Sequence, residues 1–143
     1  MILGIVGHEE AKFTNETRMA ALQVIRDLLA KHKPTLVVSG RCPLGGVDIW
    51  AIRLAGAFGI ATKEYAPEEN SWDPPGRYGF KARNLDIAKS DHVACIVVAE
   101  LPESYKGRRF FDYHCKGKGN PPHIKSGGCW TAWKCPSREW RII

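Results

Sequence analysis

The sequence predicts an α/β chain built on a doubly wound, mainly parallel sheet flanked by helices. Three observations predict it. Short apolar runs rich in branched residues, Ile2 to Gly7, Thr35 to Gly40 and His92 to Glu100, read as strands buried on both faces. Between these runs stand stretches with helical spacing or helix-start signals. Strands and helices alternate in this way through the first hundred residues, the pattern of parallel strands joined by right-handed crossovers.

Each element follows from local chemistry. After the first strand, "HEEAKF" makes a polar loop. In "TNETRMAALQVIRDLLAKHK" the apolar residues Met19, Leu22, Ile25 and Leu29 predict a helix packed on one stripe, with Thr14 as N-cap and Thr17, rather than a glutamate, three residues on. Pro34 cannot continue that helix. "RCPLGGVDIWAIRLAGAFGI" turns at Gly45 and Gly46 and then runs as a helix to Gly59, a residue suited to a helix C-terminus. A strand "ATKEYAP", a loop "EENSWDPPGRYG" and a helix from Phe80 to Lys89 precede the fourth strand. Residues 101–125 show no period of 2 or 3.6 and read as an irregular basic insertion, with a short hairpin through Phe110 to Cys115. "SGGCWTAWKC" opens a short last helix and "REWRII" closes as a strand. One domain over residues 1–143 is expected, since 143 residues at 44% hydrophobic suit one core.

Composition narrows the function classes. The opening "MILGIVGHEE" lacks a basic lead and a small-residue cleavage site, and no apolar run approaches membrane-spanning length, so a cytoplasmic protein without membrane contact is expected. Five cysteines without regular spacing argue for reduced thiols. His114, Cys115, His123, Cys129 and Cys135 crowd the C-terminal region, but their spacing matches no zinc motif, and buried thiols are the plainer reading. No metal and no cofactor is therefore expected. The net charge of +6 is uneven: residues 1–100 carry 12 Lys+Arg and 12 Asp+Glu, whereas residues 101–143 carry 9 and 3. An excess of that kind attracts phosphate, on a nucleotide or on a nucleic acid.

Ligands of open parallel sheets bind beyond the carboxyl ends of the strands. That edge collects "GHEEAKFTN", "SGRCPLGGVD", "APEENSWDPPGRYG" and the insertion with "KSGG". Helices starting near Val47 and Cys129 aim their first N–H groups and positive dipole ends there, which favours a phosphate. Candidate ligand contacts are His8, Ser39, Gly40, Gly45, Gly46, Asp48, Trp72, Arg83, Asn84, Ser126, Gly127, Gly128 and Thr131. His8 follows the first strand and suits a ligand contact or a general base. Trp72, on a loop expected to be exposed, is the candidate for stacking on a base, whereas Trp130 and Trp133 share a helical face that suits a core or a subunit contact.

"VVSGRCPLGGVDIWAIRLAGAFGI" resembles the strand, glycine turn and helix of the SLOG superfamily, the Rossmann-like group that includes DprA and the Lonely Guy phosphoribohydrolases; Ser39, Gly40, Gly45, Gly46, Asp48 and Ala51 carry the pattern. "FKARNLDIAKSDHVACIVV" is similar to the Lonely Guy segment holding a functional arginine, here Arg83 with Asn84 and Asp91. "SGGCWTAW" is similar to that family's "P-G-G-x-G-T-x-x-E" turn through Gly127, Gly128 and Thr131, while Ser126 replaces its proline, Trp130 its third glycine and Lys134 its glutamate.

The resemblance implies a Rossmann-like fold, phosphate binding and a homodimer paired through helices. It implies N-glycosidic hydrolysis less well, because Lys134 cannot stabilise positive charge on a ribosyl carbon. An enzyme would need Arg83 and a substitute carboxylate from Glu9, Glu10, Asp48 or Glu100, of which Glu100 is best placed. The expected function is thus binding of a nucleotide or a nucleotide-derived small molecule. The alternatives are a phosphoribohydrolase-like hydrolase or transferase and a nucleic-acid-binding protein.

Overall fold

The computed structural model describes residues 1–99 and 127–143. Glu100, Ser126 and the insertion with its proposed hairpin, His114, Cys115 and His123 lie outside the described residues.

Five strands, β1 (Ile2–Gly7), β2 (Leu36–Gly40), β3 (Ala61–Tyr65), β4 (His92–Val97) and β5 (Arg138–Ile142), form one sheet in the order β3-β2-β1-β4-β5. Every pairing is parallel. Among the described residues, four helices, α1 (Asn15–His32), α2 (Val47–Ala57), α3 (Phe80–Ala88) and α4 (Gly127–Lys134), flank it, and one 3-10 turn covers Glu10–Lys12. This is the Rossmann-like α/β arrangement expected from the alternation of elements. The order of strands reverses between β1 and β4, which makes the carboxyl end of β1 the topological switch point.

Two apolar layers hold the helices on. Leu3, Ile5, Val37, Ala94 and Ile96 face α1 and α2 through Ala21, Ile25, Leu28, Val47, Ala51 and Ala55. Val6, Val38, Val93, Cys95 and Val97 face α3 and α4 through Ile87, Ala88 and Ala132, with Cys135 just beyond α4 in the same layer. The central strands are continuous apolar runs because helices cover both of their faces. β3 is different: it stands last in the order of the described strands, its first four residues are exposed, and it carries charges at Lys63 and Glu64, side chains that disfavour edge-to-edge pairing.

The ends of the helices are set by local chemistry. Thr14 accepts from the Thr17 amide at 3.1 Å and Thr17 Oγ1 accepts from the Thr14 amide at 2.7 Å, so a threonine completes the capping box where a glutamate is usual. At the end of α2, Ile60 N donates to Ala55 O at 2.9 Å and Gly59 N to Gly56 O at 3.0 Å, the paired bonds of a Schellman motif around Gly59. The stripe on α1 is rotated from the expected one. Ala21, Ile25, Leu28 and Leu29 are buried, while Met19 is 60% exposed.

Candidate ligand cleft at the carboxyl edge

A cleft of about 180 Å³ opens at the switch point. Val6, Gly7, His8 and Glu9 bring the end of β1 into it, Lys12 comes from the 3-10 turn, Cys42 follows β2, and Asp48 stands in the first turn of α2. Arg83 and Asn84 reach it from α3, and Gly127, Gly128 and Thr131 from the start of α4. Seven of the sequence candidates, His8, Asp48, Arg83, Asn84, Gly127, Gly128 and Thr131, are thus brought together on one wall system.

Arg83 is 8% exposed, and its guanidinium is oriented by its neighbours. Its Nε donates to Asn84 Oδ1 at 2.7 Å, and its Nη1 donates to Tyr65 O at 3.4 Å. Its head and the Asp48 carboxylate both stand against Gly40: a Cβ there would collide with Arg83 Nη1 and lie 2.7 Å from Asp48 Oδ2. Gly40 therefore gives up its side chain so that the charged pair fits at the end of β2. Ser39 is fully buried beneath it and donates to Ile5 O at 2.5 Å, a brace between β2 and β1 and not part of the cleft wall.

Burial pushes the Asp48 carboxyl up to about 7, against the lowering influence of the Arg83 charge, a Gly7 backbone hydrogen bond and the Ser39 hydroxyl. A carboxyl raised into that range is suited to both donating and accepting a proton. Burial also holds the Cys42 thiol above its ordinary value, reinforced by Asp48 and Glu9 and partly offset by Leu44 and Arg83. The shift disfavours the thiolate, the reactive form of a cysteine. His8, 2% exposed, accepts from Val98 N through Nδ1 at 3.1 Å, which places the proton of the neutral ring on Nε2. A ring fixed in that tautomer is a donor.

The two glycine turns play different parts. Gly46, at φ 92°, precedes α2 with its Cα against the backbone of the β1 loop; a Cβ would lie 2.6 Å from Glu10 N and closer still to His8 O. Val47 N is also occupied, donating to His8 O at 3.2 Å. A Cβ on Gly45 would face Glu10, with Oε2 at 3.3 Å. Gly45 and Gly46 therefore dock α2 on the β1 loop, and neither lines the cleft. At the other turn Gly127 is exposed and Gly128 half-buried, both on the cleft, with Thr131 Oγ1 donating back to Gly127 O at 2.8 Å.

Trp72 is half-buried and meets Trp130 edge to face, with centroids 4.9 Å apart at 79°. It packs the loop before α3 onto α4 and is not on the cleft wall. Lys134 lies with Nζ 4.7 Å from the Trp133 ring centre and 5.4 Å from that of Trp130, away from the cleft. Cys129 and Cys135 are buried, and the Cys135 thiol donates to Ser137 O at 3.1 Å.

Sequence reasoning missed Val6, Gly7, Lys12 and Cys42 as cleft residues. Lys12 sits in a stretch without periodicity, and Gly7 looks like the end of a strand; only the switch-point topology places them together. No family model, curated protein or solved structure matches the chain. Among the described residues no helix is long and apolar enough to cross a membrane.

Proposed function

We propose that this cleft binds a phosphorylated ribosyl ligand, a nucleotide or a molecule derived from one. The observation that supports it most is the placement of buried Arg83 and Asp48 opposite the glycine start of α4 at the switch point. Arg83, Lys12 and the first amides of α4 suit a phosphate, which a helix N-terminus and a guanidinium both attract. Asp48 and Asn84 suit sugar hydroxyls, because each can donate as well as accept. The volume of about 180 Å³ is below the range of roughly 300–1,000 Å³ usual for whole small-molecule pockets. A sugar phosphate fills it, with the base directed outward.

A second reading, glycosidic hydrolysis or transfer, is favoured by Asp48 itself: a cleft carboxyl near 7 is matched to proton transfer at neutral pH. Glu9, on the same wall, is then the carboxylate that faces charge developing on the sugar. For assembly we propose a homodimer paired through helices, supported by exposed Met19 and Phe58, in a cytoplasmic setting that keeps the thiols reduced.

The test is a thermal-shift screen against nucleoside mono-, di- and triphosphates and ADP-ribose derivatives, with chromatography of each mixture. The expected result is a nucleotide that stabilises the wild type, fails to stabilise Arg83→Ala and is recovered intact. Release of a free base establishes the hydrolytic reading instead. Binding only to single-stranded DNA, with affinity falling steeply as salt rises, overturns both in favour of a nucleic-acid partner.

A further inference from the structure

The opposite edge of the sheet carries a second cluster of chemistry-bearing side chains. His32 lies in the last turn of α1, His92 opens β4, and Glu139 lies in β5 in register with Ala94. Nothing in the ligand cleft touches them: the cleft is at the carboxyl end of β1, whereas His92 is at the amino end of β4. Residues 107 and 47 positions apart in sequence converge on one atom. His32 Nε2 is 3.0 Å and His92 Nε2 2.9 Å from Glu139 Oε1. The three donor atoms all lie within 4.8 Å of one another.

We propose that His32, His92 and Glu139 form a binding site for a divalent transition-metal ion of the zinc type. The donor set is chemically apt, since two imidazoles and a carboxylate are ligands that zinc, nickel and copper take readily. The geometry is close to what the ion needs. Bonds of about 2.0–2.2 Å in a tetrahedral site set the donors roughly 3.3–3.5 Å apart. The two nitrogen-to-oxygen distances here fall short of that by a few tenths of an ångström, while the three donors spread over as much as 4.8 Å, so the two imidazole nitrogens must draw together as the ion enters. The rings already stand side by side, with centroids 4.8 Å apart and planes 35° from parallel.

Two outer contacts prepare the ligands in the way metal sites require. His92 Nδ1 is 2.7 Å from Ser137 Oγ; with Nδ1–H donating to that hydroxyl, the Nε2 lone pair is directed at the ion. Arg141 Nε donates to Glu139 Oε2 at 2.9 Å, which holds the carboxylate and leaves Oε1 as the single donor oxygen. The three side chains are 14–21% exposed, enough for an ion to enter. Three protein ligands leave a fourth position for water. Bound there, the ion ties the end of α1 to β4 and to the edge strand β5. In its absence the same atoms are joined by hydrogen bonds, so the ion competes with protons for the two nitrogens.

The experiment uses the full chain, stripped with chelator and desalted, titrated with zinc chloride by calorimetry and with cobalt chloride by absorbance. One ion per chain is expected. The cobalt complex should lack a thiolate-to-metal charge-transfer band, and saturating zinc should raise Tm by roughly 5 °C. His32→Ala/His92→Ala should weaken zinc binding by at least about 100-fold while circular dichroism keeps its wild-type shape. Undiminished binding in that double variant, a strong thiolate band or no binding by the wild type each overturns the proposal. Should the double variant fail to fold, electron paramagnetic resonance of the copper-loaded wild type decides. Superhyperfine splitting from two imidazole nitrogens supports the site, and its absence overturns it.

Discussion

Gly128 packs its Cα directly against the end of β1: a Cβ at position 128 would stand 2.9 Å from Gly7 N and 3.3 Å from Cys95 Sγ. The contact is backbone against backbone, so no rotamer change relieves it. It seats the first turn of α4 on the switch point and sets the width of the cleft. Gly128→Ala must push α4 outward, an overpacking that costs about 1–3 kcal/mol. The expected outcome is a lowered Tm together with loss of nucleotide stabilisation. Gly127→Ala provides the contrast, because among the described residues a Cβ there meets Asn84 Nδ2 alone, at 3.6 Å, an ordinary contact. Thermal denaturation of the two variants with and without ligand reads the difference.

Arg83 is held by Asn84 Oδ1 and Tyr65 O, both of which need a planar head with several N–H donors. Lysine at this position keeps the charge and loses the fork. Arg83→Lys is therefore expected to bind the screened nucleotide at least about tenfold more weakly, by more than 1 kcal/mol. Isothermal titration with wild type and variant checks it; equal affinities would remove Arg83 from the ligand's contacts.

Asp48 makes a stability prediction whose sign follows from its raised carboxyl. Folding lifts its pKa from 3.8 to about 7, mainly by burial, so between those values the folded chain holds a proton that the unfolded chain has released. Its share of stability is complete below pH 3.8 and declines as the pH rises to about 7, after which the loss is constant. Asp48→Asn, neutral at every pH, is expected to be more stable than the wild type above pH 7, by an amount on the order of a few kcal/mol. Urea denaturation at pH 5 and pH 8 tests it. A gap between variant and wild type that does not widen with pH sinks the assignment.

Which parts of this molecule could be read from the sequence depends on the range of the forces that set them. The order of strands and helices was legible because burial on both faces writes Leu3 to Val6 and Val93 to Val97 as unbroken runs of apolar and small residues. Thr14 was legible as an N-cap, but the capping box was not, because Thr17 stands where the usual glutamate would be and only the structure shows its hydroxyl closing the box. The glycine turns were legible as turns only: Gly45 and Gly46 and Gly127 and Gly128 look alike in sequence. What separates them is that one pair meets the backbone of the β1 loop and the other the open cleft. Trp72 was read as a stacking residue on an exposed loop, but Trp130 claims it across 58 positions, a tertiary contact with no local signal. The meeting of His32, His92 and Glu139 was invisible for the same reason.

His8 joins the cleft to the core, and the join can be separated by substitution. Its Nδ1 accepts the Val98 amide at 3.1 Å inside a nearly closed site, so deleting the ring strands a buried N–H. His8→Ala is expected to cost about 1–3 kcal/mol for that group, with a further loss for the vacated volume. An asparagine carbonyl lies where Nδ1 lies along the side chain and accepts the same bond. His8→Asn should therefore recover much of the stability lost in His8→Ala while lacking the Nε2–H donor. If that donor contacts the ligand, His8→Asn will fold nearly as stably as the wild type yet bind the nucleotide weakly; wild-type affinity would limit His8 to bracing β4 against β1. Chemical denaturation and ligand titration on the same three proteins separate the two roles.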